Sequence, residues 1–451
     1  MTNNKIPYVL GELIEDRAKR NGDRIFLRFK DQSYTYQEMD RYANRCANAF
    51  LQQGVQKGDK ISIMLPNCPE YIWIWWGSAK MGAVEVPINT SYKGEFLRHI
   101  IDQSDSTILF LDHEYLDRLK LIEDDVKKLK KVVVFGGVTK EEKAASKIPL
   151  MSWEEFFNAP ETPVDIKIYP HDPQNIIYTS GTTGDPKGVA IRNNRTGLFN
   201  ILNSLVWKYK KDDVLYNGLS LTHGNAQSVT LFPALSMGIK AVFSARFTKS
   251  RIWDICRKYG CTSFSLLGGM MAGIYNEPEK PNDADNPVKV VISAGTPVPM
   301  WEGFEKRFNV QILEWYGSVE GGFAYKPIGK GPVGSFGKPV PGVMEFKVVD
   351  DDDNELPHGE TGELICKLTK GDTRVDYIGK PEESKDKTRG GWLRTGDMVH
   401  RDAEGWYFFD FRKGMELRRA GDFIQPEYVE TVIGRHADVS EVCVYGVPAA
   451  S

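Results

Sequence analysis

The segment YTSGTTGDPKG, residues 178–188, combines residue types that bind phosphate. Its hydroxyl side chains can donate hydrogen bonds, Lys187 adds a positive charge, and glycines let the backbone approach a ligand closely. The hydroxyls belong to Thr179, Ser180, Thr182 and Thr183, and the glycines are Gly181, Gly184 and Gly188. This density of donors predicts a phosphate-binding loop rather than an ordinary polar surface turn.

The loop does not fit the Walker pattern of P-loop enzymes, which requires Gly, four residues, and then Gly-Lys-Ser/Thr. Pro186 stands five residues after Gly181, and Gly188 follows Lys187. A P-loop kinase or NTPase is therefore disfavoured. A second glycine motif, GKGPVG at 329–334, matches G-x-G-x-x-G literally. It neither follows a strand pattern nor opens a helix, so dinucleotide binding is not expected there.

The elements that must position this loop alternate between helix and strand patterns. Helical spacing covers residues 37–53, 69–82, 93–104 and 195–208. Strand patterns cover residues 60–65, 83–88, 107–112, 175–178, 288–293 and 310–315. Such alternation predicts an α/β fold with mostly parallel sheets, in which ligands bind beyond the carboxyl ends of strands. The segments AGTP (294–297) and YGS (316–318) follow two such strands, so we expect them to line the site.

The pattern changes after residue 321, where Gly and Pro become dense and the short strands 344–349 and 363–368 predict an antiparallel β module. The tail predicts a helix at 426–434 and a strand at 441–447. Four units are predicted. Residues 1–174 form an α/β subdomain, and residues 175–322 form a second α/β subdomain with the phosphate loop and adenine site. Residues 323–411 form a β-rich subdomain, and residues 412–451 form a hinge and the start of a truncated C-terminal α+β domain.

Composition excludes several classes of protein. The 451 residues carry a net charge of −3, which argues against a nucleic-acid binder or a polybasic membrane binder. The most apolar run, at 71–77, is far shorter than the ~20 residues of a membrane span and predicts a buried helix. The 6 cysteines contain no CxxC pair, so we expect neither a metal cluster nor a disulfide framework. A reducing, cytoplasmic setting is predicted.

Four further motifs follow the phosphate loop in order. They are WYGSVE (315–320), HGETGEL (358–364), GWLRTGD (391–397), and Arg412 with Gly421 nine residues later. Together they resemble the adenylate-forming superfamily of acyl- and aryl-CoA synthetases, firefly-type luciferases and peptide-synthetase adenylation domains. AGTPVP with WYGSVEGG is most similar to the carnitine/crotonobetaine-CoA ligases and fatty-acid-transport-type ligases.

The resemblance implies an ATP-dependent carboxylic acid–CoA ligase with a role in fatty acid metabolism. A carboxylate would attack the α-phosphate of ATP to give acyl-AMP, and coenzyme A, a substrate, would then form the thioester. Mg²⁺ is the implied cofactor, whereas the acid and the oligomeric state remain open. The alternative is a non-catalytic protein that binds a nucleotide or an acyl-adenylate.

The resemblance also implies roles for individual residues. Thr179, Lys187, His223 and Glu320 are the implied catalytic residues, and Glu320 is the metal ligand. The phosphates would contact Thr179, Ser180, Gly181, Thr182, Thr183, Gly184 and Lys187. The adenine would contact Gly295, Thr296, Pro297, Trp315, Tyr316, Gly317 and Ser318, and the ribose would contact Asp397 and Arg412. The acyl pocket would comprise His223, Asn225, Gly268, Gly269, Met270, Gly321 and Gly322, although a structural core role for His223 stays open.

Several positions depart from the family pattern. Val319 replaces the usual Thr, which removes a hydroxyl near the phosphates, and Phe411 replaces the usual Asp before Arg412. Gly414 occupies the hinge position, where its free backbone still permits rotation. The resemblance places the lysine that assists adenylation beyond Ser451, so no residue of this chain is assigned that role.

Overall fold

The computed structural model describes residues 9–179, 185–413, 417–419, 422–424, 429–430, 433, 436, 439 and 442–445. Its helices are α1 (Leu10–Asn21), α2 (Tyr36–Gln52), α3 (Pro69–Met81), α4 (Glu95–Gln103), α5 (Leu116–Lys120), α6 (Lys140–Ala145), α7 (Trp153–Phe156), α8 (Arg195–Leu202), α9 (Phe232–Met237), α10 (Ile252–Tyr259), α11 (Gly268–Tyr275), α12 (Trp301–Phe308) and α13 (Pro381–Lys387).

The first strands are β1 (Ile25–Phe29), β2 (Gln32–Thr35), β3 (Lys60–Met64), β4 (Val84–Pro87), β5 (Ser106–Asp112), β6 (Lys131–Phe135), β7 (Leu150–Ser152), β8 (Pro173–Thr179), β9 (Lys187–Arg192), β10 (Val214–Asn217) and β11 (Lys240–Phe243). The others are β12 (Ser263–Leu267), β13 (Val290–Ala294), β14 (Gln311–Gly317), β15 (Phe323–Lys326), β16 (Ser335–Pro339), β17 (Met344–Val349), β18 (Gly362–Leu368), β19 (Leu393–Arg401), β20 (Tyr407–Arg412), β21 (Leu417–Arg419) and β22 (Asp422–Ile424). The predicted hinge residue Gly414 and most of the predicted helix at 426–434 lie outside the described residues. Of the predicted strand at 441–447, residues 442–445 are described, and they do not form a strand.

A seven-stranded sheet has the order β7-β6-β5-β3-β4-β8-β9 and is parallel except for the β8–β9 pair. The helix α3, which contains the apolar run, starts with Pro69 in its first turn and ends at Gly82 in the left-handed conformation. Trp75 and Trp76 on this helix are fully buried. The prediction of a buried helix is therefore confirmed, and no helix in the described part of the chain is long and apolar enough to cross a membrane.

A 13-stranded sheet has the order β17-β18-β19-β20-β16-β15-β14-β13-β12-β10-β11-β1-β2. The run from β14 to β1 is parallel, and the strands on either side of it are antiparallel. The predicted α/β class is confirmed. The antiparallel β module is present but continuous with the parallel sheet, because β15 pairs with β14.

The two sheets exchange strands across the predicted division at residue 174. The early strand β1 pairs with β11 of the large sheet, whereas β8 and β9 complete the seven-stranded sheet. Local periodicity shows that a segment is a strand but not which distant strand it will pair with. The domain bounds stay a prediction, and they do not coincide with sheet membership.

A buried carboxyl group lies where this strand exchange occurs. Glu85 on β4 is fully buried, and its carboxylate accepts hydrogen bonds from the Tyr71 hydroxyl (2.8 Å) and from the amides of Gln227 (3.3 Å) and Asn175 (3.5 Å). Burial raises the pKa of Glu85 to about 8 despite these hydrogen bonds. The residue therefore stays protonated over a pH range in which an exposed glutamate is ionised.

Glu85→Gln should become more stable relative to the wild type as the pH rises from 5 to 8. The folded wild type keeps its Glu85 proton up to a pKa of about 8, whereas the unfolded chain releases it near 4.5. The stability that Glu85 contributes is thus fully present below 4.5 and is lost as the pH rises towards 8. Urea unfolding at pH 5, 6.5 and 8 measures the difference.

The control is Glu154→Gln, which changes an exposed glutamate and should give a difference in unfolding free energy that does not vary with pH. A pH-independent difference for Glu85→Gln as well would contradict the raised pKa of this carboxyl group.

Candidate active site

The carboxyl ends of β13 and β14 meet, as expected for neighbouring parallel strands, and a buried glutamate joins them. Glu314 accepts hydrogen bonds from the backbone N–H of Gly295 (2.6 Å) and from the hydroxyl of Thr296 (2.5 Å). Gly295 has a φ of +75°, which favours glycine and turns this loop towards Glu314. Burial raises the pKa of Glu314 to about 7. Motif analysis did not find this residue, although it directly precedes Trp315.

The loop beyond β13 is closely packed against the start of α11. A Cβ atom on Gly268 would lie 2.0 Å from the carbonyl oxygen of Gly295, so no larger residue fits there without movement. A Cβ atom on Gly269 would meet open space. The structure thus brings the predicted adenine loop and the predicted acyl-pocket glycines together at one edge of the sheet.

A second cluster forms around Asp397, which is 5% exposed. Tyr316 donates a hydrogen bond of 2.5 Å to Asp397 Oδ2, and Arg412 Nη1 lies 3.3 Å from Oδ1. Asp397 and Arg412 are register partners on β19 and β20. Burial raises the pKa of Asp397, and the interactions with Tyr316 and Arg412 oppose that shift. These three predicted site residues, far apart in sequence, are therefore in contact.

The phosphate loop connects two antiparallel strands whose facing ends are Thr179 on β8 and Lys187 on β9. Ser180, Gly181, Thr182, Thr183 and Gly184 lie outside the described residues. The Lys187 Nζ atom forms a 2.5 Å ion pair with Glu383 of α13 and lies 5.4 Å from the ring centre of Tyr377. A phosphate that binds Lys187 must therefore compete with Glu383 for this ammonium group.

Glu320 faces the same region from the loop after β14. The Tyr377 hydroxyl donates a hydrogen bond of 3.2 Å to Glu320 Oε1. The turn that carries Glu320 is closed by the Ser318 hydroxyl, which donates to the carbonyl of Gly321 at 2.8 Å. Glu320 therefore lies in a hydrogen-bonded turn and is linked through Tyr377 to Lys187.

Arg195 at the start of α8 is a site residue that sequence reasoning missed. It donates hydrogen bonds to the carbonyl oxygens of Val319 (2.6 Å) and Ser318 (3.4 Å). Burial lowers the pKa of Arg195 to about 10, against the opposing charge of Glu320. Arg195 fixes the backbone next to Glu320, and the side chain of Val319 packs against the neighbouring apolar cluster. Because 124 residues separate Arg195 from Val319, no local signal could have identified it.

The predicted acyl-pocket residues that precede β11 lie beside the Glu320 loop. His223 is an exposed residue whose pKa is lowered by desolvation of the imidazole, and its Nδ1 accepts a 3.2 Å hydrogen bond from the backbone N–H of Asn225. Asn225 is buried, and its side-chain oxygen accepts a 2.8 Å hydrogen bond from Ser265. A Cβ atom on Gly224 would lie 4.0 Å from Val319. Such exposure disfavours a core role for His223.

The implied Mg²⁺ needs oxygen ligands from the protein. The described residues contain no group of three His, Cys, Asp or Glu side chains that could hold a metal ion. Mg²⁺ does not need such a cage, because it is commonly held by one or two carboxylates together with substrate phosphates and water. Glu320, which shares the partner Tyr377 with Lys187, fits that mode.

The matches to known proteins agree with this arrangement. Residues 14–370 match the family model of the AMP-binding enzymes. Crotonobetaine/carnitine–CoA ligase of Salmonella heidelberg (strain SL476) is 28% identical, over 98% of this chain and 87% of the relative. Long-chain fatty acid transport protein 2 of Rattus norvegicus is 29% identical, over 96% of this chain and 74% of the relative.

A solved structure shares the fold. The anthranilate CoA ligase AuaEII in complex with anthranoyl-AMP superimposes with a TM-score of 0.88 at 24% identity. The match covers 99% of this chain and 86% of that one.

Proposed function

Because the chain belongs to the AMP-binding enzyme family, we propose that it is an ATP-dependent ligase that joins a carboxylic acid to coenzyme A. The observation that carries this proposal is the buried Asp397, held by Tyr316 and Arg412, with Tyr316 on the same strand, β14, as the Glu314 that contacts the Gly295–Thr296 loop. A carboxylate accepts from two neighbouring hydroxyls, which suits a ribose, and this residue closes the GWLRTGD motif.

The reaction proceeds in two steps. An oxygen of the acid attacks the α-phosphorus of ATP, the bond to the β-phosphate breaks, and pyrophosphate leaves. The sulfur of coenzyme A then attacks the acyl carbonyl, the bond to AMP breaks, and the thiol proton passes to solvent. Both steps depend on positioning and on neutralising negative charge.

In this proposal, residues of several elements supply the positioning and the charge neutralisation. Lys187 neutralises phosphate charge, Tyr316 and the Gly295–Thr296 loop hold the adenine, and Asp397 with Arg412 holds the ribose. Glu320 would hold Mg²⁺, which neutralises charge on the departing pyrophosphate when bound. His223 and Asn225 border the space left for the acid. We propose that the phosphate-loop residues 180–184 bind the phosphates of ATP together with Lys187.

The names of the relatives guide the choice of acid. They include a ligase for carnitine and crotonobetaine and a long-chain fatty acid transport protein, and the solved neighbour is an anthranilate ligase. These names favour a ligase over the non-catalytic alternative, and a role in fatty acid metabolism stays a proposal. The cytoplasmic location remains a prediction from the cysteine content.

ATP–pyrophosphate exchange across a panel of acids tests the activity. The panel contains long-chain fatty acids, aromatic acids and acids with a quaternary ammonium group. We expect exchange that requires one of these acids and Mg²⁺. A chain that binds ATP but supports no exchange with any acid would instead be the non-catalytic nucleotide-binding protein.

A further inference from the structure

The short helix α13 places one of its two C-terminal lysines inside the candidate active site. Lys387 is half-buried, and its Nζ donates a 3.4 Å hydrogen bond to the carbonyl oxygen of Thr395, two residues before Asp397. Lys385 on the same helix is 75% exposed and pairs with Glu382 at 2.9 Å. The two lysines therefore have different surroundings, and Lys387 is not a solvated surface charge.

The segment that carries Lys387 spans the site from its phosphate end to its ribose end. Tyr377, just before α13, contacts Glu320, and Glu383 within α13 pairs with Lys187 of the phosphate loop. The last residue of α13, Lys387, then contacts β19 beside Asp397. Its ammonium group thus lies between the residues proposed for the triphosphate and those proposed for the ribose.

The carboxylates around Lys387 would repel a phosphate unless nearby cations balanced their negative charge. The carboxylates of Glu320, Glu363 and Asp397 all act on Lys387, together with the positive charge of Arg412. Glu363 has other cations nearby, since Arg394 and Lys413 each lie 3.7 Å from it. Burial lowers the pKa of Lys387, which reflects the cost of keeping this charge away from water. A bound phosphate would compensate that cost.

We propose that Lys387 donates a hydrogen bond to the α-phosphate of the bound nucleotide. This inference rests on the proposed function, because it assumes that the nucleotide occupies the site with its ribose at Asp397. The α-phosphate is attached directly to the ribose, so it must lie between Asp397 and Glu320, where Lys387 is found. The residue would also neutralise charge as the acid approaches the α-phosphorus.

Isothermal titration with adenosine, AMP and ATP tests the assignment, using Lys387→Met, Lys387→Arg and the matched control Lys385→Met. We expect Lys387→Met to weaken AMP and ATP binding about tenfold or more, the effect of losing one hydrogen bond to a charged group. Adenosine affinity should be unchanged, which also shows that the variant is folded. Arginine should restore part of the loss, and the control should bind all three ligands like the wild type.

Three results would overturn the proposal. Unchanged affinity for both AMP and ATP would mean that Lys387 contacts no phosphate, and a loss confined to ATP would move the contact to the outer phosphates. An equal loss for adenosine would indicate a structural role. Failure of the proposed function looks different, because the wild type would then bind AMP and ATP but support no ATP–pyrophosphate exchange, and the titrations would still decide the role of Lys387. A wild type that bound neither AMP nor ATP would overturn this inference as well.

Discussion

Glu320→Gln should slow acyl-adenylate formation by about 10²–10³-fold while leaving AMP affinity nearly unchanged. The glutamine keeps the size of the side chain and can still accept the hydrogen bond from Tyr377. It removes the negative charge that would hold Mg²⁺ against the phosphates. AMP lacks the β- and γ-phosphates, whose charge a bound Mg²⁺ would neutralise, so its binding should hardly change. Acid-dependent ATP–pyrophosphate exchange and AMP titration measure the two quantities.

Two control variants separate the metal-binding role from other effects at this position. Tyr377→Phe removes the hydrogen bond to Glu320 but keeps the carboxylate, so it should retain most of the activity. Glu382→Gln changes a side chain that is 82% exposed and should have no effect. Equal losses of exchange and AMP affinity in Glu320→Gln would show that Glu320 supports the loop of Arg195 and Val319 rather than the chemistry.

Local sequence patterns predicted several elements of the fold to within one residue. The helix predicted at 69–82 is Pro69–Met81, and the strand predicted at 344–349 is Met344–Val349. These predictions were correct because the periodicity of a helix or strand, and the Pro or Gly residues that end it, lie within a short stretch of sequence. The sequence also predicted that the segments following two parallel strands lie at one edge of the sheet, and β13 and β14 are parallel neighbours.

The long-range contacts could not be predicted from the sequence. Arg195, Glu85 and Lys387 have no motif around them, and charged residues within helix or strand patterns ordinarily indicate a solvated surface. Arg195 and Glu85 form hydrogen bonds with residues that are distant in sequence, Val319 and Gln227 respectively. The pairing of β1 with β11 has the same origin, because strand partners are chosen by tertiary packing.

Asp397→Asn should weaken AMP binding by about 1.5–3 kcal/mol, the scale for losing hydrogen bonds to a charged group. An ionised Asp397 accepts hydrogen bonds only, whereas asparagine presents one donor and one acceptor. The buried amide would therefore face the hydroxyl of Tyr316 or the guanidinium of Arg412 with a donor of its own. The same change removes an acceptor for the ribose hydroxyls. Titration calorimetry with AMP measures the loss.

The comparison that decides the role of Asp397 uses a ligand without a ribose. Pyrophosphate, which would contact the phosphate loop alone, should bind Asp397→Asn and the wild type equally well. Asp372→Asn, at an exposed aspartate, should leave the affinity for both ligands unchanged. Tyr316→Phe keeps the carboxylate but removes its 2.5 Å hydrogen bond, so its loss of AMP affinity should be smaller than that of Asp397→Asn. An Asp397→Asn variant that binds AMP like the wild type would refute the ribose assignment, because a buried carboxylate at the centre of the site would then have no nucleotide to hold.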